Sequence, residues 1–335
     1  MNPFVKDGHI IPLASINSVY IDDTLASDLF RIELLVNDIE NNRDNLGFSS
    51  SILRDEIIKE FKKALVSEIP SIKECALSIA SRYGHNLSMV IKTLVKPSLM
   101  SVNKRKDWTD IHWGYWKTIN QIFILGGLTS PLLTKIFIDE ISKTFEKYNI
   151  KNLNITFIED SQDMGTKGLC TEVDEGEFLI FDFGQTYIKR RHYIKNGTFP
   201  SLDMTLDPIK SDFLFYKHKD DDELKIIASK LDDFMVDTII DTMNEVDFSG
   251  NKLLIAIANY VYKGNIYPSR GGYAKLYKVA KNYENYLSKK LSKRLNKEIT
   301  VVLYHDTSAM GLLFKEYKNT AVLSLGTAFG VSFPK

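Results

Sequence analysis

Four short apolar runs in this chain stop abruptly at a glycine or an acid: IFILGG (122–127), FLIFDFG (178–184), VVLYHD (301–306) and LSLG (323–326). Short apolar runs bounded by turn formers are the pattern of buried strands. Open α/β sheets put their binding and catalytic groups at the carboxyl ends of such strands, so this feature narrows both the architecture and the place to look for chemistry.

The remaining patterns agree with an α/β chain. SDLFRIELLVNDIENN and RDEIIKEFKKALVSEI repeat apolar residues every three or four positions, as core-facing helices do. IFILGGLTSPLLTKIFIDEISKTFEKY reads as strand, tight turn and helix, with Ser130 before Pro131 at the helix start. NITFIED is a further strand, and QDMGTKGLCTEV a short helix whose small residues permit close packing. From Glu175 onward, EFLIFDFGQTYIKRRHYIKNGTF alternates in hairpin fashion, with turns at Gly184 and Asn196-Gly197. The acidic run Asp220 to Glu223 precedes a helix whose Leu224, Ile227, Leu231, Phe234, Ile239 and Met243 share one face. It complements the helix dipole, with a metal site as the sharper alternative. KLLIAIANYVY and ITVVLYHD read as strands, YAKLYKVAKNYENYLSKKLSKRL as one helix, and TAVLSLGTAFGVSFPK as two strands around a small turn. KRKDWTDIHWGYW (104–116) is expected to be a loop held down by its large rings.

Charge removes several functions. Lys plus Arg and Asp plus Glu both number 43, so no net positive field draws the chain to nucleic acid or an anionic membrane. No apolar run approaches the ~18–20 residues of a membrane helix, and the first residues lack a signal-peptide pattern, so a cytoplasmic location is expected. Cys75 and Cys170 have no CxxC spacing and read as small buried residues. A small-molecule substrate is the expected partner, and a homodimer is left open.

Each strand end suggests a role. Asp182 can hold Mg²⁺ through water, Gly184 lets backbone N–H groups approach a phosphate, Thr186 offers a hydroxyl and Lys189 a cation. Gly326, Thr327 and Gly330 would form a second backbone cradle. Gly126 and Gly127 would let a flat ring or ribose lie against the chain, and Asp306 stands where a strand opens a helix. No GxxxxGK[ST] or GxGxxG fits, which disfavours P-loop and Rossmann enzymes.

As a set, these segments resemble the acetate and sugar kinase, chaperone ATPase and actin superfamily, especially its hexokinase-like and ROK-like sugar kinases. FLIFDFGQTYIKRRH is similar to the first phosphate motif, HDTSAM to the catalytic-aspartate motif, LSLGTAFGVSF to the second phosphate motif and IFILGGLTSPLL to the adenosine motif. HDTSA followed closely by SLGT is also similar to kinases of the FGGY type. The resemblance covers roughly residues 119–335. The motif order differs from the family's, since the adenosine-like segment comes first, which looks like a circular permutation. Gln185 replaces the usual second Gly of DxGGT, His305 replaces the usual Asn before the catalytic Asp, and the ROK zinc cluster and ExGH motif are missing, with DGHII (7–11) a poor stand-in.

The resemblance implies an actin-like (ribonuclease H-like) α/β fold of two domains with mixed sheets flanked by helices and a cleft between them. One domain would comprise residues 1–174 plus 315–335, the other 175–314, with helices near 160–174 and 306–317 crossing the hinge. It implies ATP and Mg²⁺ as cofactors and a hydroxyl of a small sugar or polyol as acceptor. Asp306 would be the general base, Asp182 the Mg²⁺ residue, and Gly184, Gln185, Thr186, Lys189, Gly326 and Thr327 the phosphate contacts. Gly126 and Gly127 would serve the nucleotide. Asn259, Arg270 and His305 are the candidates for substrate hydroxyls; equally, Asn259 caps a turn, Arg270 is solvated and His305 bonds to backbone. The competing readings are a non-catalytic sugar or nucleotide sensor and a kinase for a carboxylate, which would need no base.

Overall fold

A computed structural model describes residues 1–159, 161–197, 200–268, 271–326 and 328–334. The principal strands, in chain order, are β1 (Gln121–Gly126), β2 (Asn154–Phe157), β3 (Gly176–Phe183), β4 (Tyr187–Lys195) and β5 (Pro200–Lys210). They continue with β6 (Lys252–Ile257), β7 (Thr300–His305), β8 (Thr320–Leu325) and β9 (Phe329–Ser332). The principal helices are α1 (Ile32–Asn41), α2 (Ile57–Ala64), α3 (Pro70–Val95), α4 (Asp110–Thr118) and α5 (Pro131–Lys147). After them come α6 (Met164–Leu169), α7 (Asp221–Glu245), α8 (Tyr283–Leu295) and α9 (Asp306–Gly311).

The chain is mixed α/β and divides into two compact units. Unit 1 comprises residues 1–3, 13–162 and 317–331, and unit 2 residues 4–12, 163–316 and 332–335. The division expected from sequence, 1–174 plus 315–335 against 175–314, therefore differs from the structural one at 4–12, at 163–174, which holds α6, at 315–316 and at 332–335, all of which belong to unit 2. α6 and α9, expected at a hinge, both belong to unit 2 and touch each other. Gly168 is what lets them do so: a Cβ there would stand 1.9 Å from the Ala309 carbonyl oxygen.

Unit 2 is built on a five-stranded sheet of order β5-β4-β3-β6-β7. β3, β4 and β5 form an antiparallel meander, while β6 and β7 run parallel to β3. Alternate residues of the central strands are buried on opposite faces. Leu179, Phe181, Leu253, Ile255 and Leu303 meet α7 and α8, whereas Phe178, Ile180, Leu254 and Ala256 meet Leu169, Cys170 and Ala309. Burial on both faces is why these strands read as unbroken apolar runs. The outer edge of β7 is covered by α8, where Ser288 Oγ and Glu284 Oε2 accept the N–H groups of Val301 and Leu303 at 3.0 and 2.8 Å.

In unit 1 the sheet order is β9-β8-β1-β2, with β8, β1 and β2 parallel. Only three residues connect β8 to β9, too few for anything but an antiparallel return. The arrangement is that of β4-β3-β6-β7 in unit 2: a hairpin beside two strands parallel to its first arm. Here the hairpin comes last in the chain. α3 packs along α5, where Ser88 Oγ and Thr144 Oγ1 lie 2.6 Å apart in the buried interface.

Several expectations change. The aromatic segment 104–116 is largely helical, because Trp113 and Trp116 are buried on α4; Trp108 does pin the preceding turn, its Nε1–H donating to the Leu13 carbonyl at 2.8 Å. The run KLLIAIANYVY breaks after Ile257 and resumes as a two-residue strand, Val261–Tyr262. YAKLYKVAKNYENYLSKKLSKRL is a 3-10 turn, Gly272–Lys278, followed by α8, which Asn282 caps by accepting Asn285 N–H at 2.9 Å. The 26-residue α3 was not anticipated. Cys75 is only partly buried; Cys170 is buried, and burial raises its thiol to about 11. Asp220 caps α7 by accepting the N–H groups of Asp222 and Glu223, so the acidic run serves the helix. No group of three or more metal-ligating side chains occurs among the described residues.

Candidate active site

The parallel register of β3, β6 and β7 aligns Asp182 with Ala256 and Tyr304, and Phe183 with Ile257 and His305. Asp182 thus lies one residue before its strand end, and Asp306 one residue beyond its own. The two strands are separated only by β6, about 10 Å between backbones. Both carboxylates therefore stand at one edge of one sheet.

Asp182 is buried, and loss of water pushes its carboxyl above the usual range. Lys189, its partner across the β3–β4 hairpin, opposes this shift with Nζ 3.4 Å from Oδ2. The negative charges of Asp306 and Asp163 add to it. Asp163 is held by Arg191, 2.6 Å from Nη2 to Oδ1. Asp163 and Arg191 were not found by sequence reasoning, since an ion pair 28 residues apart leaves no local pattern.

Asp306 opens α9 and is about one-third exposed. Its Oδ1 accepts the Thr307 N–H at 2.6 Å and the Thr307 hydroxyl at 3.2 Å, and His305 Nε2 lies 3.3 Å away. Oδ2 has no hydrogen-bond partner among the described residues. His305 is buried, stacks on Tyr260 at 4.6 Å and 12°, and accepts the Ser308 N–H at Nδ1 (3.3 Å). Burial lowers its pKa, partly offset by Asp306. α9 has only six residues, so its dipole gives Asp306 little support.

In the hairpin, Gly184 is sterically required, because a Cβ would approach the Tyr187 carbonyl oxygen to 2.8 Å. Its own carbonyl accepts the hydroxyls of Ser211 and Tyr273 at 2.8 and 3.0 Å. Gln185 is half-buried and Thr186 exposed at the tip. Asn259 is buried after β6; its Oδ1 accepts Tyr260 N–H at 2.7 Å and its Nδ2 donates to the Tyr267 carbonyl at 3.2 Å. Arg270 and Thr327 lie outside the described residues. A cavity of about 430 Å³ in unit 2 is lined by Glu284, Tyr304, His305 and Ser308 among others, but not by Asp182 or Asp306.

Unit 1 brings its own predicted residues together. Gly126 is in register with Leu325, next to Gly326. Its φ is +123°, and a Cβ would lie 2.2 Å from the Leu325 carbonyl oxygen. The turn closes on the Gly126 carbonyl, which accepts Thr129 N–H at 3.2 Å and the Thr129 hydroxyl at 2.9 Å; Gly126 N–H donates to Ser161 Oγ at 2.8 Å. Gly127 is exposed with open space at its Cα, and the Gly326 carbonyl accepts Ile32 N–H at 3.2 Å. Ser130 Oγ, at the N-cap of α5, and Thr134 Oγ1, in its first turn, are buried with no hydrogen-bond partner among the described residues.

No family model matches the chain, and no curated protein matches it. Among the described residues, no helix is long and apolar enough to cross a membrane.

Proposed function

We propose that the protein is an ATP- and Mg²⁺-dependent kinase that phosphorylates a hydroxyl of a small sugar or polyol, on a circularly permuted, two-domain actin-like fold in the cytoplasm. The observation that carries this reading is the pair Asp182 and Asp306 at the carboxyl edge of one sheet, one buried and one with an unpaired oxygen. Further support is the recurrence of the same sheet in unit 1, with Gly126 and Gly326 at neighbouring strand ends and two unpaired hydroxyls behind them.

The residues present suit the cofactors. Asp182 is a buried carboxylate whose burial a cation would relieve, and one carboxylate plus water is ordinary Mg²⁺ ligation. Asp182 would hold Mg²⁺, which would supply positive charge against the phosphates. Asp306 Oδ2 receives the proton of the acceptor hydroxyl as the acceptor oxygen bonds to the γ-phosphorus; the bond from that phosphorus to the bridging oxygen breaks, and ADP leaves. On this reading Gly184, Gln185, Thr186 and Lys189 of unit 2 are candidates for phosphate contacts, as are Gly326 and Thr327 of unit 1, whose Gly126 and Gly127 are candidates for the nucleoside.

The test is ADP release from MgATP with a panel of sugars, polyols and nucleosides, paired with thermal shifts, where a ligand at ~100 times its Kd stabilises by about 2.7 kcal/mol. Acceptor-dependent ADP release is expected. Stabilisation by sugar or nucleotide without turnover would make the protein a sensor, and no response to MgATP in either assay would sink the reading.

A further inference from the structure

Two residues expected to touch substrate have their polar atoms turned inward. Asn259 uses Oδ1 and Nδ2 to hold its own loop, on Tyr260 N–H and the Tyr267 carbonyl. That loop sets the Tyr260 ring flat against His305, 4.6 Å between centroids at 12°. Ser308 presents both its N–H, at 3.3 Å, and its hydroxyl, at 3.2 Å, to His305 Nδ1; the N–H can only donate and the hydroxyl can donate as well, which favours Nδ1 as the unprotonated nitrogen. A neutral ring then carries its proton on Nε2, which lies 3.3 Å from Asp306 Oδ1. The same oxygen already accepts two bonds from Thr307, so among the described residues every contact to the Asp306 carboxylate is to Oδ1 and Oδ2 is left open.

We infer that Asn259, Tyr260 and His305 form a support that positions the Asp306 carboxylate, with His305 held as the neutral Nε2–H tautomer, and that none of the three is a substrate ligand. The inference rests on the reading of Asp306 as the base. It accounts for a histidine where the resembled kinases have asparagine: either caps the helix start, but only the ring can be clamped from its face while a nitrogen stays 3.3 Å from Oδ1.

Substrate ligands and positioning residues differ in which kinetic constant they move. His305→Ala and Asn259→Ala are each expected to lower kcat about 10- to 100-fold, the cost of a misplaced reacting group, with the acceptor KM within about twofold. His305→Asn should restore the Ser308 cap, hence wild-type thermal stability, while kcat stays reduced. Nitrogen chemical shifts of the His305 ring in the full-length wild type should report unprotonated Nδ1 and protonated Nε2 at pH 7.5. A rise in KM with kcat intact would make these residues substrate ligands and overturn the inference. So would an Nδ1–H tautomer or an imidazolium at that pH. Absence of phosphoryl transfer to any acceptor would instead overturn the kinase reading and, with it, the positioning role, whatever the tautomer.

Discussion

Units 1 and 2 share a four-strand core, a hairpin beside two parallel strands, yet end those strands differently. In unit 2 the carboxyl edge holds Asp182, His305 and Asp306, with Asp163, Lys189 and Arg191 close behind, so the buried Asp182 and Arg191 are each paired with a partly exposed opposite charge. At the ends of β1 and β8 in unit 1 there are glycines and the hydroxyls of Thr129 and Ser161, none of which titrates in the physiological range. Architecture alone thus says little about which unit does chemistry. The residues around the strand ends are what differ: carboxylates and a histidine in unit 2, glycines and hydroxyls in unit 1.

The largest break in that comparison is Asp306→Asn. It is nearly isosteric and keeps an oxygen for Thr307 N–H. It should leave the melting temperature and MgATP affinity near wild type while lowering turnover ~10²–10⁴-fold, the range for loss of a positioned base. Steady-state kinetics with the identified acceptor decides this, and a mutant that keeps more than about a tenth of wild-type turnover removes Asp306 from the chemistry.

Gly126→Ala should be the most damaging change in unit 1. Both the left-handed φ and the 2.2 Å approach to the Leu325 carbonyl forbid a side chain, so β1 and β8 would have to part. A loss of about 3–5 kcal/mol is expected from backbone strain plus overpacking. Denaturant midpoints measure it; a loss under about 1 kcal/mol would mean the turn is not as tightly closed as its hydrogen bonds imply.

What was legible in the sequence was what is local. The strand ends at Gly126, Asp182, Asp306 and Gly326 follow from short apolar runs meeting turn formers, and the small residues of α6 announced its close approach to α9. The break at Ala258 was hidden because Ala258 prolongs the apolar run, and the one at Lys278 to Asn282 because Val279 and Ala280 between lysines keep the three-to-four-residue alternation of the helices on either side. α3 went unread although Pro70 marks its start, because its buried positions include Gly84 and Ser88, which carry no hydropathic signal. Asn259 and His305 were correctly placed at strand ends, but the direction of their polar atoms is a tertiary fact. Only the structure shows that Tyr260 couples them.

Asp182→Asn carries a smaller effect of opposite sign. Burial raises this carboxyl in the folded protein above its ordinary value of 3.8. The folded state therefore holds the proton more tightly than the unfolded chain, and stability falls as pH rises from about 4 through the folded value. Asparagine carries no such charge. The mutant should be more stable at pH 7 by on the order of 1 kcal/mol, or about 2–4 °C, and the advantage should vanish below pH 4. It should also bind MgATP more weakly than wild type, while metal-free ATP binding changes little. A mutant less stable at pH 7 would show that the Lys189 contact outweighs burial, and equal losses with and without Mg²⁺ would give Asp182 a structural role instead.

The smallest expected change in fold is Gly127→Ala, and that makes it the sharpest probe of unit 1. Unlike its neighbour, Gly127 is exposed, has no left-handed φ, and would place a Cβ with nothing within 4 Å. Alanine there costs the native state no contact and narrows the unfolded ensemble, so stability should be unchanged or rise by about 0.4–1 kcal/mol. If a nucleoside lies against this backbone, the added methyl intrudes on it. MgATP affinity should then fall several-fold in titration calorimetry while the melting temperature does not. The pair Gly126 and Gly127 thereby separates the two uses of glycine in one turn: the first permits the strand to close on β8, and the second keeps a surface clear. Unchanged MgATP affinity in a stable Gly127→Ala protein would remove the nucleoside from this turn and leave Gly126 as a purely structural residue.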